Sequence, residues 1–311
     1  MKPRGLADVS VREVGLRDGL QSLQQVLSTE AKIAWLKAAH AAGLREIEVS
    51  SFVSPKLVPQ LADAADVLQA AQALPGLTAS VLVPNLRGAE LALERGAAKL
   101  VFVVSASEAH NRANVRQSAA ESLSDFARIG KLAAGEAALT GGISTAFGCT
   151  LQGAVDQARV VNMAVQMAEL GASEIALADT VGYANPTAVR DLFGAVRSAM
   201  PGMPLAAHFH DTRGLGLANV VAALDTGVCA FDASLGGFGG CPYAPGATGN
   251  IATEDLVFLL ESMGHTTGID LDRLLAVRRR LTEWLPGVPL QGAVAQAGLP
   301  KGSWSAASLR S

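Results

Sequence analysis

Along this chain, short apolar runs alternate with longer stretches in which apolar residues return every three or four positions. The short runs predict strands at Val11–Val14, Glu46–Ser50, Thr78–Val83, Leu100–Val104, Gly142–Phe147, Glu174–Ala178, Leu205–Phe209 and Ala230–Leu235. The helical periods fall at Thr29–Ala42, Ala62–Ala73, Glu90–Arg95, Ala119–Ala138, Val155–Leu170, Thr187–Met200, Leu217–Thr226 and Ala252–Met263. Gly43, Gly96, Gly171 and Gly227 each follow a helical stretch, where a left-handed residue stops the helix before the next strand. Eight βα units predict an α/β fold, a closed parallel (β/α)8 TIM barrel, with residues 1–265 as its catalytic domain. Residues 266–311 add one more helical pattern, Leu271–Trp284, and a tail broken by Pro and Gly that packs on the barrel or across an oligomer contact.

Composition narrows the function classes. Of 311 residues, 50% are hydrophobic and only 17% charged, which predicts a homo-oligomer, a dimer or larger, that covers part of its surface. The net charge is −3 and basic residues form no stripe, so nucleic acid is not an expected partner. Arg278-Arg279-Arg280, the one basic run, reads as a solvated helix face. No apolar run is long enough for a membrane span, and Met1 to Ser10 have neither the apolar core of a signal peptide nor the pattern of an organellar presequence. Cys149, Cys229 and Cys241 are odd in number and lack paired spacing, which suits a reducing cytoplasm rather than a disulfide framework.

The chemistry begins at Ala206-Ala207-His208-Phe209-His210-Asp211. Alternate strand residues share a face, so His208 and His210 can present nitrogen to one metal ion. In a barrel, function collects at the C-terminal strand ends, where Asp18, Glu48, Asp179 and Asn250 also fall. Asp18, His208, His210 and Asn250 form a mixed oxygen and imidazole donor set, suited to Mg²⁺ or Mn²⁺ and able to take Zn²⁺ or Co²⁺. Asp211 reads either as a carboxylate holding one of the histidines or as a helix cap.

Five segments carry a resemblance: Gly15-Leu16-Arg17-Asp18-Gly19-Leu20-Gln21, Ser51-Phe52-Val53-Ser54-Pro55-Lys56, Pro84-Asn85-Leu86, Ser105-Ala106-Ser107-Glu108 and Gly239-Gly240-Cys241-Pro242-Tyr243-Ala244. With these the chain resembles the hydroxymethylglutaryl-CoA lyases, members of the metal-dependent TIM-barrel lyases and Claisen-condensing enzymes, from about residue 9 to 285. The resemblance implies metal ligands at Asp18, His208, His210 and Asn250, a catalytic arginine at Arg17, active-site acids at Glu48 and Asp179, and a catalytic loop cysteine at Cys241. It also implies a CoA contact at Asn114.

The implied reaction splits 3-hydroxy-3-methylglutaryl-CoA into acetyl-CoA and acetoacetate, as in leucine catabolism. Breaking the C2–C3 bond needs a base for the hydroxyl, drawn from Asp18, Glu48 or a metal-bound water. It also needs a sink for the enolate charge at Arg17 and a proton donor at Cys241, assisted by His208. Arg17 and Cys241 lie off the periodic core faces, which predicts roles in chemistry rather than in folding.

Three positions depart from the family pattern. Leu16, Leu23 and Leu57 stand where the family usually has Pro, a polar residue and Trp, so a smaller, more apolar rim is expected to widen the acyl range towards substrates such as citramalyl-CoA. Two other classes compete with the lyase. A condensing synthase of the isopropylmalate type would need a longer C-terminal extension than the residues after the barrel supply. A barrel kept only as a binding protein would not need the intact ligand and proton-donor positions. The tail has neither a terminal cysteine nor a peroxisomal tripeptide, which fits a bacterial-type cytoplasmic enzyme.

Overall fold

In the computed structural model, residues 8–240 and 249–301 are described. Eight parallel strands close into one barrel: β1 (Ser10–Glu13), β2 (Glu46–Ser51), β3 (Thr78–Leu82), β4 (Lys99–Ser105), β5 (Ala138–Ser144), β6 (Glu174–Asp179), β7 (Leu205–Phe209) and β8 (Ala230–Ala233). Around it run α1 (Thr29–Ala41), α2 (Ala64–Gln72), α3 (Leu86–Glu94), α4 (Glu108–Val115), α5 (Ala119–Ala133), α6 (Gln157–Glu169), α7 (Pro186–Ala199), α8 (Gly216–Leu224) and α9 (Thr253–Ser262). The expected (β/α)8 barrel is the observed one.

β5 begins four residues earlier than expected. Gly141 and Gly142 resemble a loop in sequence, yet they pair in register with Phe102 and Val103 of β4. A side chain at Gly141 would press on Met167 of α6 and Ile175 of β6. Glycine there lets the helix lie close to the sheet. The expected helix Ala119–Ala138 stops at Ala133, and Gly135 turns the chain back at φ +81.

Beyond the barrel, α10 (Leu271–Trp284) buries Leu271, Leu274, Val277 and Leu281 in the same apolar cluster as the barrel helices, lying against α1 and α9. The short α11 (Ala293–Ala297) follows and meets α9. The Arg278–Arg280 run is not wholly solvated. Arg278 turns inward to donate to Glu254 Oε1 at 3.3 Å, and Arg280 lies over the Trp284 ring at 4.5 Å.

Residues pointing into the lumen change character with height. At the N-terminal floor, Arg12 donates through both terminal nitrogens to Glu174, and its Nε lies 3.0 Å from Glu46. Lys99 bonds to Glu46 and reaches Glu174 at 3.4 Å, and Thr140 donates to Glu174 at 3.1 Å. Two cations and two carboxylates thus neutralise one another where an unpaired charge would carry a large desolvation cost. The same alternation along β2 sends Glu46 to this floor and Glu48 to the mouth, as expected.

Candidate active site

The first segment of the site is a π-helical turn, Gly15–Gly19, at the end of β1. The Val14 carbonyl accepts from the backbone N–H groups of Arg17, Asp18 and Gly19 at 3.1, 2.7 and 3.4 Å. Single π turns are an uncommon device frequently found at functional sites, because the extra residue re-aims the side chains that follow. The turn is closely packed: a Cβ at Gly15 would sit 2.5 Å from Glu13 Oε1 and 2.9 Å from the Trp35 ring.

Arg17 donates from Nε to Glu48 Oε2 at 2.7 Å and from one terminal nitrogen to Asp18 Oδ1 at 2.7 Å. Arg17 is only 8% exposed, so a residue read as lying off the periodic core faces is nonetheless packed inside. Asp18 Oδ2 accepts from the Asn250 amide at 2.8 Å. His208 Nε2 lies 3.1 Å from His210 Nε2, and ligand atoms of Asp18, His208 and His210 all fall within 4.8 Å of one another.

These residues fit a divalent cation. His208 Nδ1 faces Asp232 Oδ2 at 3.2 Å, so Nδ1 carries the proton and Nε2 presents its lone pair. Two imidazole nitrogens about 3 Å apart match the edge of an octahedron with ligand distances of about 2.1 Å. Asn250 Oδ1 is buried without a hydrogen-bond partner. A buried acceptor of this kind is costly unless something binds it.

Electrostatics separate the groups by role. Burial works against the charge of Asp18, but Arg17, the two histidines and Asn250 outweigh it and hold the carboxyl below its usual range. Burial, with His208 beside it, lowers His210 to about 4, which keeps that ring neutral. Burial would also lower His208, but Asp232 and Asp18 raise it overall. Burial pushes Glu48 up to about 7 despite Arg17, and its Oε1 has no hydrogen-bond partner.

Other expected residues sit differently. Asp179 is buried at the end of β6, where its oxygens accept from the backbone N–H of Tyr183 at 2.8 Å and of Ala184 at 3.0 Å, and burial raises it to about 6. It holds the loop after β6 and is also close enough to His208 for that ring to favour its charged form. Asn114 is exposed on α4. Cys241 lies outside the described residues, but the glycine loop leading to it starts against the ligands: a Cβ at Gly239 would sit 2.8 Å from Gly19 Cα and 2.9 Å from Asn250 Nδ2. Asp211 accepts from Gly216 N at 2.8 Å at the start of α8, the capping alternative of the two read from sequence. Leu16 is completely buried and forms no part of the rim, whereas Leu57 is 75% exposed.

Two residues of the site were missed. Asp232 is an acid at an inward position of the apolar strand Ala-Phe-Asp-Ala, a signal visible in sequence. Glu13 faces the helix layer, fully buried, and accepts from Gly15 N at 2.9 Å, Leu235 N at 3.0 Å and Thr253 Oγ1 at 2.7 Å. It joins the β1 turn to the end of β8 and to α9, beside Asn250. Nothing in its sequence neighbourhood reveals that junction.

With this geometry in view, the similarities to known proteins are specific. A profile of the HMGL-like family matches residues 8–281. The hydroxymethylglutaryl-CoA lyase YngG of Bacillus subtilis is 44% identical over 91% of this chain and 94% of its own, and the human mitochondrial hydroxymethylglutaryl-CoA lyase is 43% identical over 86% and 82%. The solved HMG-CoA lyase of Acinetobacter baumannii, in complex with coenzyme A and 3-methylmalate, superposes with a TM-score of 0.90 at 41% identity, covering 95% of this chain and 96% of its own. The buried cluster of Asp18, His208 and His210 is thus set in a barrel matched along nearly its whole length, and the chain belongs to the HMGL-like family of lyases.

Proposed function

We propose that this protein cleaves 3-hydroxy-3-methylglutaryl-CoA to acetyl-CoA and acetoacetate, in the cytoplasm and as part of leucine catabolism. The observation that carries this reading is the meeting of Asp18, His208, His210 and Asn250 with the buried Arg17–Glu48 pair at one barrel mouth. Support comes also from the relatives named hydroxymethylglutaryl-CoA lyase.

A divalent cation, Mg²⁺ or Mn²⁺ by the character of its donors, would be held by Asp18, His208, His210 and Asn250 Oδ1 and would supply positive charge to orient and acidify the 3-hydroxyl. Glu48, poised near 7 with Oε1 free of a partner, takes the hydroxyl proton. The C3–O bond becomes a carbonyl and the C2–C3 electron pair passes into the thioester enolate. Arg17, always protonated, bonds Glu48 through Nε and one terminal nitrogen and Asp18 through the other, and the second N–H of each terminal nitrogen donates to the enolate oxygen. Cys241 delivers the proton that C2 needs, giving acetyl-CoA, while acetoacetate carries the new carbonyl. Asn114 contacts the CoA moiety.

The test is acetyl-CoA release from this substrate after chelation and after restoring Mg²⁺ or Mn²⁺, alongside Mn²⁺ titration followed by electron paramagnetic resonance. Turnover that depends on the cation, and Mn²⁺ binding lost in His210→Ala, are expected. Full turnover in the stripped protein, or unchanged Mn²⁺ binding in the variant, would overturn the reading.

A further inference from the structure

The lumen between mouth and floor is less filled than a barrel core normally is. Interiors of this fold are packed by layers of bulky branched side chains. Here the register aligns Val103 of β4 with Gly142 of β5, and Gly142 with Ala176 of β6. Three adjacent strands therefore offer one valine, no side chain and one methyl group at a single height. A cavity of about 60 Å³ results, reaching from Arg17 and Glu48 at its top to Arg12 and Lys99 at its base, with Val103, Gly142, Ala176 and Ala178 along its wall. By volume it admits about four water-sized groups.

Chemistry decides what enters it. The floor charges are paired with one another, two cations against two carboxylates, and the remaining lining carboxylate, Asp232, faces His208, so with Ser80 and Thr140 the polar part of the lining leaves no charge without a counterpart. Its small-residue wall belongs to β4, β5 and β6: β4 and β5 lie across the barrel from β8 and β1, and β6 pairs with the histidine-bearing β7. A 3-hydroxyglutaryl thioester has four groups on C3. The thioester limb has to leave by the mouth with its CoA, and the hydroxyl and carboxylate limbs belong with the polar ligand side. The remaining group faces the small-residue wall.

Resting on the lyase reading above, we propose that this wall is a pocket for the C3 substituent. The preferred substrates are 3-hydroxy-3-alkylglutaryl-CoA thioesters whose uncharged alkyl group is longer than methyl, with propyl or butyl filling the space. Val103, Gly142 and Ala176 determine that specificity. A pocket sized for methyl would reject one further methylene by about 10-fold or more. An open apolar pocket instead gains about fourfold for each methylene it buries.

The experiment compares kcat/KM for the 3-methyl and 3-propyl thioesters in the metal-loaded full chain. The propyl compound is expected above the methyl compound, by up to about 16-fold for two buried methylenes; an equal or lower value overturns the pocket. Ala176→Val, which adds bulk at a strand position that favours β-branched residues, is expected to lower the propyl-to-methyl ratio at least tenfold. Gly142→Ala, whose Cβ would meet Val103 Cγ2 at 2.9 Å, provides a second filling variant should the first fail to fold. An unchanged ratio in a folded variant overturns the assignment. If neither thioester is cleaved, the lyase reading has failed. Calorimetry with the free 3-propyl and 3-methyl 3-hydroxyglutarates then still decides the pocket: tighter propyl binding supports it, and equal or weaker binding overturns it.

Discussion

A single buried cation governs the acids at the mouth. Arg17 stands between Glu48 and Asp18, so Arg17→Gln removes both an enolate donor and the charge that restrains two carboxylates. We expect kcat to fall about 10²- to 10³-fold, and stability to fall by about 3–5 kcal/mol, the usual cost of breaking a buried ion pair from one side. Burial raises Glu48 to about 7, so if it is the base of the proposed reaction kcat/KM should rise as pH increases through about 7. Glu48→Gln should abolish that limb, and a retained limb would assign it to another group. The meeting of Asp18, His208, His210 and Asn250 was legible from sequence because strand alternation and the strand-end rule reduce them to a face and a rim. Asp232 was legible in principle, as an acid inside an apolar strand. Glu13 was not, since its three partners come from positions 15, 235 and 253, and only the closed barrel brings them together.

Among the elements, periodicity located every strand and most helices, and the misses have local causes. The glycine pair of β5 mimicked a loop. The eight-residue α4 has polar character on most faces, so it left no apolar stripe, although Ser107 caps it through His110 N at 3.2 Å. The π turn at Gly15–Gly19 obeys neither strand nor helix period. A further glycine shows packing overruling propensity. Gly130 lies inside α5, where Gly→Ala normally stabilises a helix by about 1 kcal/mol. A Cβ there would overlap the Leu170 carbonyl oxygen at the end of α6. Gly130→Ala should therefore destabilise the protein by about 1–3 kcal/mol, as overpacking does. Denaturant unfolding checks the sign, and a more stable variant would mean that α5 and α6 can separate without loss.

For the molecule as a whole, closure of the barrel couples folding to pH through Glu13. Burial raises its carboxyl to about 7 from an ordinary 4.5. The folded state therefore holds its proton more tightly than the unfolded chain. This contribution to stability is complete below about 4.5 and is lost as pH rises through about 7, a change of about 3 kcal/mol. Glutamine mimics the protonated acid, so between pH 4.5 and 7.5 the stability of Glu13→Gln relative to wild type should improve by a similar amount. A pH-independent difference would show that Glu13 stays ionised in the fold. The barrel's other end has a kinetic corollary. With Arg12, Glu46, Lys99 and Glu174 stoppering the lumen, whatever is made inside must leave over the lip by which it entered. In the proposed reaction the keto acid forms beneath the thioester, so the order of departure is acetyl-CoA first and keto acid last. Product-inhibition kinetics would then find the keto acid competitive with substrate and acetyl-CoA noncompetitive; the reverse pattern would mean that the stopper opens.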